Sequence, residues 1–387
     1  MIVAIPKEIT SGEHRVTLVP ESVVQIKAAG ADVVVESNAG QPATFSDNNY
    51  QDKGAVIEPN HADLLKKADV ILKVQCPTDC PGSGHHEAEL MKEGSILIAL
   101  LRPFANLNIM KRLAERKVTA FAMELMPRIT RAQTMDALSS MSTIAGYKAV
   151  LVAASASNKF FPMLMTAAGM IAPAKVFIIG AGVAGLQAIA TARRLGAVVE
   201  AYDMRPVVKE QVQSLGAKFV ELPIETKDAQ DAGGYAKQQT EEFYKKQQEM
   251  MAKHIKQSDV VITTALVPGK RAPVLITEEM VKGMRPGSVI VDLAAEEGGN
   301  CALTEPGKEV VKYGVIINGF LNLPSSMALP ASQMYSRNIT NFFLHLYKDG
   351  KLNIDLNDEL TRGPLVTHNG EIVNEAIKTA ITSGGIK

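Results

Sequence analysis

The sequence predicts an α/β protein of two domains, each built on a parallel sheet that is covered by helices. Its 387 residues exceed the length that one hydrophobic core usually supports. Along most of the chain, apolar and β-branched runs alternate with stretches of helical periodicity, as in parallel strands joined by helical crossovers. The three cysteines are too few for a disulfide framework, which is typical of a protein from the reducing cytoplasm.

Composition and charge exclude several classes of partner. Lys and Arg total 41, as do Asp and Glu, so no global field attracts nucleic acid or an anionic membrane surface. The first residues pass directly from an apolar start into charge, without the features of a signal peptide. The longest apolar stretch, residues 176–192, is interrupted by glycines, so we expect no direct membrane insertion of this chain.

The first predicted domain occupies residues 1–140 and 325–387. Its strands are expected at residues 2–5, 33–36, 70–74, 96–100 and 119–123. Its helices are expected at residues 21–29, 62–67, 109–116 and 332–348. The pattern of the second domain is complete by residue 324, so the chain is expected to return to the first domain there.

The second predicted domain, residues 141–324, begins its sheet with an apolar strand at residues 175–179. Its later strands are expected at residues 198–203, 219–222, 260–264, 289–293 and 315–318. Residues 226–236 are polar and lack periodicity, which predicts a mobile surface loop before a charged helix at residues 237–256. A nucleotide cleft is expected between the two domains.

A glycine-rich turn connects the strand at residues 175–179 to an alanine-rich helix. Residues 180–185 read Gly-Ala-Gly-Val-Ala-Gly and fit the G-x-G-x-x-G pattern of dinucleotide-binding turns. In that pattern, Gly180 allows the tight turn, Gly182 the approach of a diphosphate, and Gly185 close packing of helix on strand. The free N–H groups and the dipole of the helix N-terminus would then hold the phosphates.

The residues after the next strand bear on the choice of nucleotide. Asp203 follows Gly185 by eighteen residues, where a carboxylate accepts hydrogen bonds from the adenosine ribose hydroxyls. A 2′-phosphate would meet like charge there, at about 4 kcal/mol for unit charges about 4 Å apart, so NAD is expected over NADP. Arg205 leaves the opposite preference open, because an arginine at this place can hold a 2′-phosphate. The predicted fold is thus two Rossmann-like domains with parallel sheets and an NAD cleft between them.

A dense run of polar residues follows the last strand of the first domain, at residues 126–140. Four of its side chains are expected to converge on a nicotinamide: Arg128, Gln133, Asp136 and Ser139. On spacing alone, a helix cap with a solvated surface is an equally good interpretation. The seven histidines are scattered, and none lies at a strand end beside the expected cleft. The sequence therefore offers no evident group for the proton transfer that an ordinary dehydrogenase performs.

A separate cluster has the composition of a metal site without its spacing. It contains Cys76, Cys80, His85 and His86, which match no common metal motif. We expect a surface loop there and no metal.

Six separated segments resemble the alanine dehydrogenase and transhydrogenase superfamily, and most closely the alpha-1 subunits of bacterial proton-translocating transhydrogenases. The segments are residues 127–133, 180–187, 209–212, 232–237, 263–270 and 297–301. The resemblance implies that this chain binds NAD(H) and that hydride passes directly to NADP(H) bound on the beta subunit. It also implies proton conduction through separate transmembrane subunits, alpha-2 and beta. The implied location is cytoplasmic, peripheral on the inner face of the bacterial cytoplasmic membrane.

The same resemblance implies the residues of the site and the mode of assembly. Arg128, Gln133, Asp136 and Ser139 are implied to orient the nicotinamide. Further contacts with NAD are implied for Ile129, Thr130, Val183, Asp203, Met204, Arg205, Gly234, Tyr235, Thr264, Ala265 and Leu266. Tyr235 belongs to a loop implied to fold over the nucleotide, and this chain departs from the family there by having Gln239 instead of methionine. A homodimer is implied through an exchanged hairpin at residues 161–176.

Two alternatives belong to other functional classes. Alanine dehydrogenase has the same fold, and Arg15 and Lys73 match its ligands for the substrate carboxylate. Its catalytic histidine would follow the strand at residues 96–100, where this chain has Leu101 and Arg102. A non-catalytic NAD-sensing module is the second alternative, and the orienting residues between 128 and 139 argue against it.

Overall fold

The computed structural model describes residues 1–221, 240–266 and 271–382. The chain divides into two compact units, of which unit 1 comprises Met1–Met141 with Pro324–Lys387 and unit 2 comprises Ser142–Leu323. The predicted loop at residues 226–236, with Gly234 and Tyr235, lies outside the described residues, as does Gln239.

The described part of the chain contains nineteen strands, labelled β1 to β19 in chain order. They are Ile2–Ile5, Asp32–Glu36, Val56–Glu58, Val70–Leu72, Ile96–Ala99, Thr119–Ala122, Leu164–Thr166, Gly169–Ile171, Lys175–Ile179, Val198–Tyr202, Lys218–Phe219, Val260–Thr263, Val289–Asp292, Glu309–Lys312, Val315–Asn318, Tyr347–Lys348, Lys351–Leu352, Leu365–His368 and Glu371–Ile372.

Within the same residues there are thirteen α-helices, α1 to α13. They are Pro20–Ala28, Asp47–Gln51, His61–Lys67, Glu87–Leu90, Leu107–Glu115, Ala137–Ala156, Val183–Arg194, Lys209–Ser214, Glu241–Gln257, Glu278–Lys282, Ala328–Leu346, Glu359–Arg362 and Glu375–Thr382.

The predicted α/β class is confirmed, and the differences in detail lie mainly at edges and ends. The strand predicted at residues 219–222 is the short edge strand β11, Lys218–Phe219. The helix predicted at residues 332–348 begins earlier, at Ala328, because Pro330 lies in its first turn, where a missing N–H costs no hydrogen bond. The sequence analysis missed β3, an edge strand of three residues whose Val56 is 60% exposed and therefore gives no burial pattern.

Unit 1 is built on an eight-stranded sheet in the order β19-β18-β6-β5-β4-β1-β2-β3. The strands from β6 to β3 are parallel, whereas β18 and β19 add an antiparallel edge. Val3, Ala4 and Ile5 of the central strand β1 are fully buried. This near-continuous apolar run is typical of a parallel strand that is covered on both faces.

Unit 2 contains a seven-stranded sheet in the order β11-β10-β9-β12-β13-β15-β14. Its first six strands follow the doubly wound order 3-2-1-4-5-6 of dinucleotide-binding sheets, and β14 adds an antiparallel edge. Alternate residues of β9 enter opposite cores: Ile178 packs with α6 and α7, and Phe177 packs with α9 and α10. The strand order reverses at β9, so the carboxyl ends of β9 and its neighbours form the expected binding edge.

Helix α6 passes very close to the first turn of α7. A Cβ built on Gly146 of α6 would lie 2.1 Å from the carbonyl oxygen of Ala184 in α7. Farther along α6, Ala149, Val150 and Ala153 are fully buried in the same core as α7. Glycine at position 146 therefore permits a backbone contact that any side chain would prevent.

The same helix is the most apolar long helix of the described chain. With 20 residues and a single charge, Lys148, α6 is long and apolar enough to cross a membrane by length and composition alone. The sequence analysis had identified residues 176–192 as the longest apolar stretch. Core helices of soluble proteins pass the same test, so the finding is weak support for insertion.

We expect Gly146→Ala to lower the free energy of unfolding by about 1–3 kcal/mol, because the new methyl group overlaps backbone atoms. In an unconstrained helix the same change would stabilise the protein by up to about 1 kcal/mol. The sign of the effect, measured by urea denaturation with far-UV circular dichroism, therefore tests the contact.

Ser155→Ala on the exposed side of α6 is the matched control, for which helix propensity predicts a small gain in stability. A Gly146→Ala protein that is as stable as the unmodified protein would contradict the close approach of α6 and α7.

Candidate nucleotide-binding site

The turn that ends β9 requires glycine for two separate reasons. Gly180 has a φ of 95°, and its N–H donates to the carbonyl oxygen of Tyr202 at 2.8 Å. A Cβ at this position would lie 2.5 Å from the hydroxyl oxygen of Thr264. The sharp turn thus brings the end of β9 against the segment that follows β12.

The next two glycines shape a cradle at the N-terminus of α7. A Cβ on Gly185 would lie 1.9 Å from the carbonyl oxygen of Gly180, so α7 packs directly on the turn. Gly182 is the N-cap of α7 and offers no side-chain hydrogen bond to the helix. The nearest atom to a Cβ on Gly182 is the Arg205 Nη2, at 4.0 Å. The first N–H groups of this twelve-residue helix suit the diphosphate of a dinucleotide.

Asp203 lies where the ribose ligand was predicted, but Arg205 already engages it. The Asp203 Oδ2 accepts the N–H of Ala181 at 2.8 Å and the Arg205 Nη2 at 2.7 Å. Its Oδ1 accepts the backbone N–H and the Nε of Arg205, each at 2.8 Å. The carboxylate is therefore bound to the phosphate turn on one side and to a guanidinium on the other. A ribose that uses this carboxylate must share it with Arg205 or displace Arg205.

The segment after β12 completes the predicted contacts of unit 2. The Thr264 hydroxyl donates to the carbonyl oxygen of Gly180 at 3.0 Å. Ala265 is half-buried, and Leu266 is 42% exposed at the same edge. On α7, Val183 is 43% exposed beside the cradle. Residues 180–183, 203–205 and 264–266 thus meet at the carboxyl ends of β9, β10 and β12.

The predicted nicotinamide residues of unit 1 lie on one short, anchored segment. Gln133 belongs to the 3-10 helix Thr130–Met135, and both Gln133 and Arg128 are exposed. The carbonyl oxygen of Thr134 accepts the side-chain amides of Asn338 at 2.9 Å and Asn341 at 3.2 Å, both from α11. These bonds fix the backbone next to Gln133. Thr130 is also exposed, whereas Ile129 is half-buried.

Asp136 and Ser139 form a cap at the start of α6. The Asp136 Oδ1 accepts the N–H of Ser139 at 2.8 Å, and its Oδ2 accepts the Ser139 hydroxyl at 2.6 Å. The cap interpretation therefore describes the local geometry of both residues. Each carboxylate oxygen accepts two hydrogen bonds, so the cap leaves acceptor capacity for a ligand.

The two cations shared with alanine dehydrogenase are paired with carboxylates of this chain. The Lys73 Nζ is fully buried, 2.8 Å from the Glu87 Oε1 and 3.3 Å from the Glu8 Oε2. Burial lowers the pKa of Lys73, but attraction to Glu8 and Glu87 outweighs burial and raises the pKa above its usual value. Arg15 is 3% exposed and makes two bonds to Glu13, at 2.7 Å and 2.5 Å. This pairing favours a structural role for Arg15 and Lys73.

A buried carboxyl stands where the alanine dehydrogenase histidine would be expected. Glu124 accepts the N–H of Leu101 at 3.2 Å and also the N–H of Arg102. Burial raises the pKa of Glu124 to about 7. The sequence analysis missed this residue, since nothing in its neighbours distinguishes it from a surface glutamate. Its hydrogen bonds hold the loop after β5, whose Arg102 has a φ of 46°.

The segment that contains Cys76 and Cys80 folds as a turn. The N–H of Cys80 donates to the carbonyl oxygen of His85 at 2.8 Å, and His86 caps α4. Among the residues that the structure describes, no group of three or more His, Cys, Asp or Glu side chains has the arrangement of a metal site.

Sequence comparisons connect this geometry with known proteins. The N-terminal domain of the alanine dehydrogenase/PNT family matches residues 4–145, and the C-terminal domain of the same family matches residues 149–375. The first of the two chains that make up the NAD(P) transhydrogenase alpha subunit of Rhodospirillum rubrum is 52% identical over 380 residues. This match covers 97% of the present chain and 99% of the relative.

Solved structures give the same grouping. The transhydrogenase from Sinorhizobium meliloti matches with a TM-score of 0.84 at 44% identity, covering 97% of this chain and 100% of that one. An L-alanine dehydrogenase matches with a TM-score of 0.82 at 26% identity and covers 99% of both chains. Alanine dehydrogenase is therefore the more distant homologue. The chain belongs to the alanine dehydrogenase/PNT family and, within it, to the alpha subunits of NAD(P) transhydrogenase, which are components of a nicotinamide-nucleotide oxidoreductase.

Proposed function

We propose that this chain is the NAD(H)-binding subunit of a proton-translocating transhydrogenase. The observation that carries the proposal is the glycine cradle between β9 and α7, at the point where the sheet order of unit 2 reverses. Bound NADH supplies a hydride, a proton with two electrons, which NADP+ on another subunit accepts. This reaction needs two aligned nicotinamide rings and no proton transfer to a substrate.

In this proposal, unit 2 binds the adenosine and diphosphate part of NAD(H). The N–H groups that follow Gly182 hold the diphosphate, and Asp203 accepts from the ribose. Val183, Met204, Ala265 and Leu266 provide the contacts beside the adenosine, and Thr264 keeps its segment against the turn.

Unit 1 supplies the groups that orient the nicotinamide. Arg128 and Gln133 are exposed on an anchored segment, so their positions do not depend on a flexible loop. Asp136 and Ser139 add an acceptor and a hydroxyl that already hold each other in place. Ile129 and Thr130 flank these groups. Such fixed donors and acceptors are what alignment of a transferring ring requires.

The proposed partners are a second copy of this chain, the NADP-binding domain of a beta subunit, and transmembrane subunits alpha-2 and beta. The hairpin of β7 and β8 supports the homodimer. Its Met165 and Met170 are 74% and 66% exposed, and Met163 just before it is 56% exposed. Large apolar side chains grouped on a protruding hairpin are typical of a contact surface. The complex would place this chain on the cytoplasmic face of the membrane, with the proton path in the other subunits.

Calorimetric titration of the isolated chain should show tighter binding of NADH than of NADPH, because the 2′-phosphate meets the Asp203 carboxylate. The Arg205→Gln variant should increase that preference about tenfold, since it removes the only cation bonded to Asp203 in the described structure. Arg194→Gln, an exposed change in the last turn of α7, is the control and should leave the preference unaltered. Equal affinities in the unmodified chain would mean that Arg205 overrides Asp203.

Gln133→Asn should slow hydride transfer at least about tenfold while NADH affinity changes by less than about threefold. The variant keeps the amide but shortens its reach, and an interaction made only when both rings align affects the transfer step. Rapid mixing of the NADH-loaded chain with a matching NADP-binding domain measures the rate.

The same substitution at Gln51, exposed on α2 of the same unit, should leave the rate of hydride transfer unchanged. Normal transfer by the Gln133→Asn protein, or no transfer by the unmodified pair, would count against the proposed site.

The chain should not oxidise L-alanine with NAD+, because Arg15 and Lys73 are neutralised by carboxylates and Leu101 occupies the place of the histidine. NADH absorbance in the presence of L-alanine measures this, with an authentic alanine dehydrogenase as the positive control. Turnover of about 1 per second or faster, as in ordinary enzymes, would overturn the assignment.

A further inference from the structure

A buried amide in unit 2 fixes the backbone that follows β12. Asn300 has no exposed surface. Its Oδ1 accepts the N–H of Ala265 at 3.0 Å, and its Nδ2 donates to the carbonyl oxygens of Ala265 at 2.9 Å and Pro273 at 2.8 Å. One side chain thus holds both polar groups of the Ala265 backbone and joins them to Pro273.

Asn300 is held in turn by Asp292, the last residue of β13. The Asp292 Oδ2 accepts the N–H groups of Asn300 at 2.8 Å and Cys301 at 3.0 Å and the hydroxyl of Thr304 at 2.7 Å. Its Oδ1 accepts the hydroxyl of Thr263 at 2.9 Å. A buried carboxylate is stable only with such a full set of donors. The network therefore ties the loop after β13 rigidly to the end of β12.

The same chain of bonds reaches the glycine cradle. Thr264 lies between Thr263, which bonds to Asp292, and Ala265, which bonds to Asn300. Its hydroxyl donates to the carbonyl oxygen of Gly180, and its N–H donates to the carbonyl oxygen of Ile179 at 2.9 Å. A shift of the Ala265 backbone would consequently move a wall of the proposed site.

We propose that Asn300 is a positioning residue for NAD(H): its amide sets the spacing between the phosphate turn after β9 and the segment 264–266. The inference rests on the proposed function, because it assigns a role within that nucleotide site. Asn300 itself is buried behind the site and does not contact the nucleotide. A residue that serves stability alone would change the melting temperature without changing the affinity of the folded protein for NADH.

Asn300→Asp separates these roles, because it is nearly isosteric and keeps an oxygen for the N–H of Ala265. It replaces the amide donor with an oxygen that faces two carbonyl groups. We expect the dissociation constant for NADH to rise at least about tenfold, since buried polar groups lose their partner in the bound geometry. The transfer rate at saturating NADH should stay within about threefold, since the variant does not touch the groups that orient the nicotinamide.

Asn106→Asp is the matched control, because the Asn106 amide also donates to a buried backbone carbonyl, that of Leu101, at 2.8 Å in unit 1. It should lower the melting temperature without changing the affinity for NADH. Asn300→Ser, which introduces no charge, provides a second variant, and it should weaken NADH binding in the same direction.

The outcomes distinguish this inference from the proposed function. If the unmodified chain fails to bind NADH, the proposed function is wrong. If it binds NADH and both Asn300 variants bind equally tightly, the positioning role is wrong. Failure of both variants to fold would show a general structural role and would likewise overturn the inference.

Discussion

The nucleotide site of unit 2 depends on how closely backbone approaches backbone at the N-terminus of α7. On one side Gly185 lets the helix touch the carbonyl of Gly180, and on the other Gly146 lets α6 touch the carbonyl of Ala184. With both contacts made, the first turn of α7 is confined between two rigid elements. A cradle that holds phosphates by backbone N–H groups needs this confinement, because those groups cannot adjust as side chains do.

Unit 1 shows how the same scaffold carries different chemistry. Its carboxyl edge contains Lys73 and Arg15, which match the alanine dehydrogenase ligands for a substrate carboxylate, yet the chain's own glutamates occupy both. Glu124 binds backbone at the loop after β5, where a proton-transferring histidine would be required. The fold alone therefore does not determine the reaction. The exposed groups Arg128 and Gln133 fit a role in aligning a ring better than a role in binding a small acid.

The sequence by itself determined the class of fold and the main element of the site. Alternating strand and helix patterns predicted two parallel sheets, since burial on both faces leaves a continuous apolar run in each strand. The glycine spacing at 180–185 predicted the turn, because strand, turn and helix are contiguous in the chain. Asp203 could be predicted for the same reason, as it ends the next strand. The short edge strand β3 could not, because half-exposed residues such as Val56 carry no burial signal.

The tertiary structure alone decided what surrounds those residues. Gly146 lies 38 positions before Ala184, and nothing local shows that α6 and α7 meet there. The pairing of Asp203 with both Ala181 and Arg205, and the bonds of Asn300 to Ala265 and Pro273, likewise join segments through folding. Patterns along a sequence report periodicity and turn chemistry, which are local. Close contacts between distant segments depend on how the elements pack, so only the folded chain reveals which glycine, arginine or asparagine makes them.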